Sequence, residues 1–194
     1  MAEIATEQLG MHTIQRTDAF TLLGADARRG KLTLFAAEGP RQRGALQRIG
    51  LRVAALAGLA PRVDLGEGLE LVLVETATES DFDLDHVALV VPDPSVAAAA
   101  WEAYGFAPAD SNRVEVGGAH LELHEGDPGS PERPLLNHIG VLVDSVEQHV
   151  AEAQEREIEI DRVVDAENTR AVFVWGPGRV QLEYVEHKSS FSLR

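Results

Sequence analysis

Four residues of the chain pair off by type and place: His86 with His138, and Glu122 with Glu183. His86 opens the run His86-Val-Ala-Leu-Val-Val-Pro-Asp-Pro-Ser-Val96. His138 opens the similar run His138-Ile-Gly-Val-Leu-Val-Asp-Ser-Val146. Glu122 and Glu183 each sit on a later apolar–polar alternation, His120-Leu-Glu-Leu-His124 and Val180-Gln-Leu-Glu-Tyr-Val185. Imidazole and carboxylate are donors for first-row divalent metals: iron, manganese, nickel, cobalt or zinc. The chain has no cysteine, so thiolate sites, disulfides and cysteine nucleophiles are excluded.

Taken singly, each residue has a plainer explanation. A histidine heading a strand is most often a hydrogen-bonded structural residue, and a glutamate on a terminal strand is usually solvated. Two histidines and two glutamates at matching places of a repeat are harder to dismiss. Side chains two apart on a strand share a face. Leu121 and Leu123 therefore turn inward, and His120, Glu122 and His124 turn the other way. On the last strand Leu182 and Tyr184 take the buried side, leaving Gln181 and Glu183 opposite.

The repeat extends to the elements between these residues. Each histidine leads a β-branched run that ends at an aspartate and passes into a helix. Asp93 precedes Pro94 as a helix start, and Asp144 with Glu147 forms a capping box. Ser95–Tyr104 is made of strong helix formers and stops at Gly105. After Asp144, Val146, Val150 and Ala153 recur at helical spacing. Strands follow: Arg113–Val116 and His120–His124 in the first unit; Ile158–Ile160, Ala171–Trp175 and Val180–Val185 in the second. The reading is two βαβββ modules, about 82–128 and 134–187, within a domain 79–194. Neither module buries its apolar face alone, so the two are expected to pack together and bring His86, Glu122, His138 and Glu183 to one metal. His12, His149 and His187 are assigned to the surface.

Residues 1–78 read as a degraded form of the same unit, rich in strands and without a full helix. Arg48-Ile-Gly-Leu-Arg-Val53 parallels the run from His138, with Arg48 in the histidine's place. Leu69–Glu75 parallels the terminal strand, and Ala19–Leu23 with Lys31–Phe35 forms a hairpin pair. Thr76–Asp81 is the linker. Exposed strand edges here call for cover from the rest of the chain or from a second subunit, so a homodimer is expected.

Composition narrows the function classes. The 194 residues are 44% hydrophobic and 25% charged, ordinary for a globular protein. A net charge of -15 disfavours nucleic acid and anionic membranes as partners. No apolar run approaches the roughly 20 residues of a bilayer span. The acidic start lacks the features of a signal peptide, and a cytoplasmic location is expected. The partner that remains is a small-molecule substrate.

The stretches Leu84–Asp93, Val116–Leu123, Asn137–Asp144 and Phe173–Tyr184 together resemble the vicinal oxygen chelate superfamily, which includes glyoxalase I, extradiol dioxygenases and bleomycin-binding resistance proteins. The resemblance implies an α+β fold of paired βαβββ modules, with a curved mixed sheet around a metal cavity and a degenerate strand-rich module before it. It makes His86 and His138 first-strand ligands, and Glu122 and Glu183 last-strand ligands. With all four, it implies an isomerase or lyase that stabilises an enolate, with Glu122 or Glu183 as base. With His86, His138 and Glu183 alone, it implies an Fe(II) extradiol dioxygenase with His124 as acid–base group. The strand Ala171–Trp175 lacks the tyrosine usual in those dioxygenases. A third implication is an antibiotic-binding protein without catalysis.

Overall fold

The computed structural model describes residues 1–24 and 30–191, and its contacts divide them into two compact units. Unit 1 holds Met1–Gln42 and Arg48–Ala88. Unit 2 holds Arg43–Gln47 and Leu89–Phe191. The division falls inside a strand, not at the linker before residue 79. None of the described helices is long and apolar enough to cross a membrane.

Unit 1 opens with α1 (Ala2–Leu9), which the reading of residues 1–78 as helix-poor does not anticipate. Its cause is local: Ala, Glu, Gln and Leu favour helix, and Gly10 ends it in the left-handed conformation, φ 73°. An antiparallel sheet follows, β1 (His12–Arg16), β2 (Phe20–Gly24) and β3 (Leu32–Phe35), in the order β1-β2-β3. Then come β4 (Leu46–Val53), β5 (Arg62–Asp64), β6 (Glu70–Glu75) and β7 (Asp83–Val91). Their order is β5-β6-β4-β7, and β4 runs parallel to β6. No helix joins β4 to β6, as expected from the short Ala-Gly-Leu stretch between them.

The last three residues of β7 belong to unit 2. There Asp93 caps α2 (Pro94–Trp101), accepting from the Ser95 and Val96 amides. A 3-10 turn, Glu102–Tyr104, carries the chain to Gly105 at φ 84°. The strands β8 (Ala107–Asp110), β9 (Arg113–Val116) and β10 (Ala119–Glu125) complete the order β7-β10-β9-β8. β8 is exposed along its length and has no apolar alternation to betray it.

The second module repeats that topology. It comprises β11 (His138–Leu142), α3 (Val146–Glu155), β12 (Ile160–Asp165), β13 (Thr169–Trp175) and β14 (Gln181–His187), in the order β11-β14-β13-β12. Two local expectations need correction. The cap of α3 is Ser145, whose hydroxyl accepts from the Gln148 amide; Asp144 lies outside the helix. The edge strand starts at Ile160 and runs to Asp165, beyond the Ile158–Ile160 segment, because its exposed Asp161–Asp165 carries no burial pattern.

Within unit 2 the modules meet through their helix sides. Trp101 is fully buried, edge-on to Phe106 at 4.8 Å, and packs against Gly176, where a Cβ would lie 3.2 Å from the indole. The Tyr104 hydroxyl donates to the Trp175 carbonyl (3.0 Å), and the Tyr184 hydroxyl donates to the Tyr104 carbonyl (2.8 Å). His149, assigned to the surface from sequence, is half-buried against the Tyr184 ring at 4.4 Å. This contact uses the faces of Leu182 and Tyr184, so Glu183 looks away from it, as the alternation requires.

Candidate metal centre

The pairing of β11 with β14 brings together two of the four singled-out residues. His138 begins β11, and the parallel register sets Gly140 beside Glu183. The His138 Nε2 lies 3.5 Å from Glu183 Oε2, with both side chains largely covered. Gly140 leaves the carboxylate its room, since a Cβ there would stand 3.4 Å from Oε2. The imidazole is held edge-on to Phe173, with centroids 5.5 Å apart, and Phe173 is the cross-strand partner of Glu183. The Arg162 guanidinium covers the Phe173 ring at 3.9 Å. Two donors each about 2.0–2.2 Å from one cation stand roughly 3 to 3.5 Å apart. The pair therefore fits neighbouring positions on a divalent ion.

Glu122 keeps different company. On β10 its Oε1 lies 3.7 Å from His120 Nε2, and its Oε2 lies 3.6 Å from His124 Nε2. His120 is buried, whereas the His124 side chain is 50% exposed. Among the described residues of unit 2, Glu122 does not gather with His138 and Glu183 into one ligand cluster. The helix-side union of the modules explains this, because Glu122 and Glu183 both lie on the faces that the union leaves out.

His86 lies in unit 1, on β7, and its ring is buried over Gly50 of β4. A Cβ at Gly50 would come within 2.2 to 2.8 Å of three ring atoms, so only glycine admits the imidazole there. Its Nδ1 stands 2.7 Å from Asp85 Oδ2, and the Arg52 Nε donates to Asp85 Oδ1 at 2.9 Å. Burial opposes the charge of Asp85. The hydrogen bonds from His86 and Arg52, with the charge of the Arg52 guanidinium, outweigh it and hold the carboxyl below the usual value of 3.8.

Half-buried Asp85, buried His86 and buried His120 are carboxylate and imidazole groups of the kind that bind a divalent metal. Asp85, Arg52 and Gly50 escape a reading of single residues. Their signals are faint: Asp85 directly precedes a candidate ligand, and Ile49-Gly50 repeats Ile139-Gly140.

No protein-family model matches the chain, and no curated protein matches it. Solved structures do. A candidate dioxygenase from Bacillus subtilis is similar over 95% of this chain and 80% of its own, with a TM-score of 0.70 and 14% identity. Lactoylglutathione lyase from Agrobacterium tumefaciens matches over 53% of this chain and 91% of its own (TM-score 0.40, 19% identity). A candidate glyoxalase from Bacillus halodurans matches over 52% and 92% (TM-score 0.42, 22% identity). The extended likeness, together with the repeated β-α-β-β-β order, shows that this chain has the α+β fold of glyoxalase- and dioxygenase-type proteins, the vicinal oxygen chelate fold.

Proposed function

We propose that the protein is a divalent-metal enzyme acting on a small substrate with two neighbouring oxygens, and that its finer chemistry is ring-cleaving dioxygenation of a catechol. The observation that supports a metal is the His138–Glu183 pair, 3.5 Å apart over Gly140. His138 supplies a nitrogen lone pair and Glu183 a carboxylate oxygen, both held by strand pairing and by Phe173. A divalent cation bound there would act as a Lewis acid and template for the two substrate oxygens. His86, within unit 1, is proposed separately as a residue able to ligate a metal.

Two considerations favour the dioxygenase over the isomerase or lyase. The isomerase reading depends on Glu122 as a fourth ligand beside Glu183, and Glu122 instead faces His120 and His124. The Bacillus subtilis protein that shares the fold across nearly the whole chain is described as a candidate dioxygenase.

The test begins with metal content and titration of the purified protein with Fe(II), Mn(II) and Zn(II). About one equivalent of bound metal, lost in both His138→Ala and Glu183→Ala, is the expected result. Unchanged affinity in both variants overturns the metal reading. Anaerobic Fe(II) loading, followed by oxygen and a panel of catechols, should then give a ring-opened product absorbing in the visible. Solvent deuterium exchange into a hydroxyketone without catechol cleavage would return the choice to isomerase or lyase.

A further inference from the structure

Gly50, Arg52, Asp85 and His86 form one arrangement within unit 1, and only His86 has a part in the function proposed above. The imidazole lies where Gly50 has no side chain, so its ring plane is set by the backbone of β4. Its Nδ1 faces Asp85 Oδ2 at 2.7 Å. A carboxylate oxygen only accepts, so at that distance the ring nitrogen facing it must donate. The other oxygen of Asp85 accepts from Arg52 Nε at 2.9 Å, which fixes the carboxylate in turn. Arg52 follows Gly50 by two residues and so stands on the same face of β4.

We infer that Asp85, braced by Arg52, is the positioning residue for His86: it keeps the ring proton on Nδ1 and thereby puts on Nε2 the lone pair that a metal would take. A neutral imidazole carries one proton, and the hydrogen bond made by one nitrogen decides what the other can do. Histidine ligands to metals are commonly oriented in this way by a carboxylate, whose removal weakens metal affinity about 10–100-fold. The inference rests on the reading of His86 as a ligand, and its test separates the two.

The first measurement is the ring tautomer of His86 in metal-free, 15N-labelled protein, assigned by comparison with His86→Gln. The proton is expected on Nδ1 in the wild type. Asp85→Leu should lose that preference, while Asp85→Asn, which retains an acceptor oxygen, should keep much of it. In zinc titrations Asp85→Leu should bind about 10–100-fold more weakly than wild type, with Asp85→Asn between them. Arg52→Gln is the second variant should Asp85→Leu fail to fold, and it is expected to shift the tautomer in the same direction. A wild-type proton on Nε2 overturns the inference. So does an Asp85→Leu protein with wild-type tautomer and affinity. Should His86→Ala leave zinc affinity untouched while Asp85→Leu still shifts the tautomer, the ligand reading has failed, and the positioning role falls with it.

Discussion

Two parallel strand pairs, β4–β6 in unit 1 and β11–β14 in unit 2, are built on one register and put to different use. Ile49 faces Leu71 as Ile139 faces Leu182, and Gly50 faces Val72 as Gly140 faces Glu183. One step on, Leu51 faces Leu73 where Val141 faces Tyr184. The backbone is thus the same ladder twice. Unit 2 carries His138 and Glu183 on it; unit 1 has Arg48 and Val72 at those places. The glycine persists in both but makes room for different groups. Gly140 gives space to a carboxylate on the adjacent strand, whereas Gly50 gives space to the His86 ring. A shared backbone pattern therefore marks where a side chain can lie close to the sheet, without dictating which side chain fills the space.

Breaking this comparison should give its largest effect in metal binding. His138→Ala and Glu183→Ala are expected to weaken zinc or manganese binding by more than the ~10–100-fold typical of losing a supporting hydrogen bond. Arg48→Ala and Val72→Ala, at the matching places of unit 1, should leave calorimetric affinity unchanged. The two glycines come next. Gly50→Ala forces a methyl against a buried ring and should cost about 1–3 kcal/mol in urea unfolding. Gly140→Ala meets only the end of a carboxylate at 3.4 Å and should stay within about 0.5 kcal/mol of wild type.

A third difference concerns Tyr184, where unit 1 has the apolar Leu73. Burial, reinforced by Tyr104 and Glu152 and opposed by Arg156, raises the Tyr184 phenol well above its ordinary 10.0. Since the folded value is the higher one, its stabilisation is full below the unfolded value and is lost as pH rises beyond it. Unfolding midpoints should therefore drop between about pH 9 and pH 11, at up to ~1.4 kcal/mol per pH unit, and Tyr184→Phe should flatten that drop. The smallest effect concerns α3, the helix for which unit 1 has no counterpart between β4 and β6. Ser145→Ala should lower stability by about 1 kcal/mol, whereas Asp144→Ala should change it little. Equal losses from both, read by thermal unfolding, would restore Asp144 as the cap.

Much of the fold was open to sequence because its signals are local. The alternation of Leu121, Leu123, Leu182 and Tyr184 with polar neighbours specifies one buried face of each strand, and all four are buried; His120, on the other face of β10, is buried as well. The helix start at Asp93 and the stop at Gly105 depend on a few adjacent residues, and both are found as expected. The α3 cap was misplaced by one residue because Asp144 and Ser145 are both good caps, and local chemistry ranks them almost equally. The β8 and β12 edges carry no apolar period, so nothing marked their extent.

What the amino-acid order determined by itself was the repeat, the period of each element and the outward face that bears His138, Glu122 and Glu183. Only tertiary structure decided which of these meet. Glu183 joins His138 because β14 settles beside β11. Glu122 does not join them into one ligand cluster, because Trp101, Tyr104 and Tyr184 draw the two modules together by their helix sides. The partner of a strand is chosen by packing between residues far apart in the chain, which leaves no periodic trace in either segment.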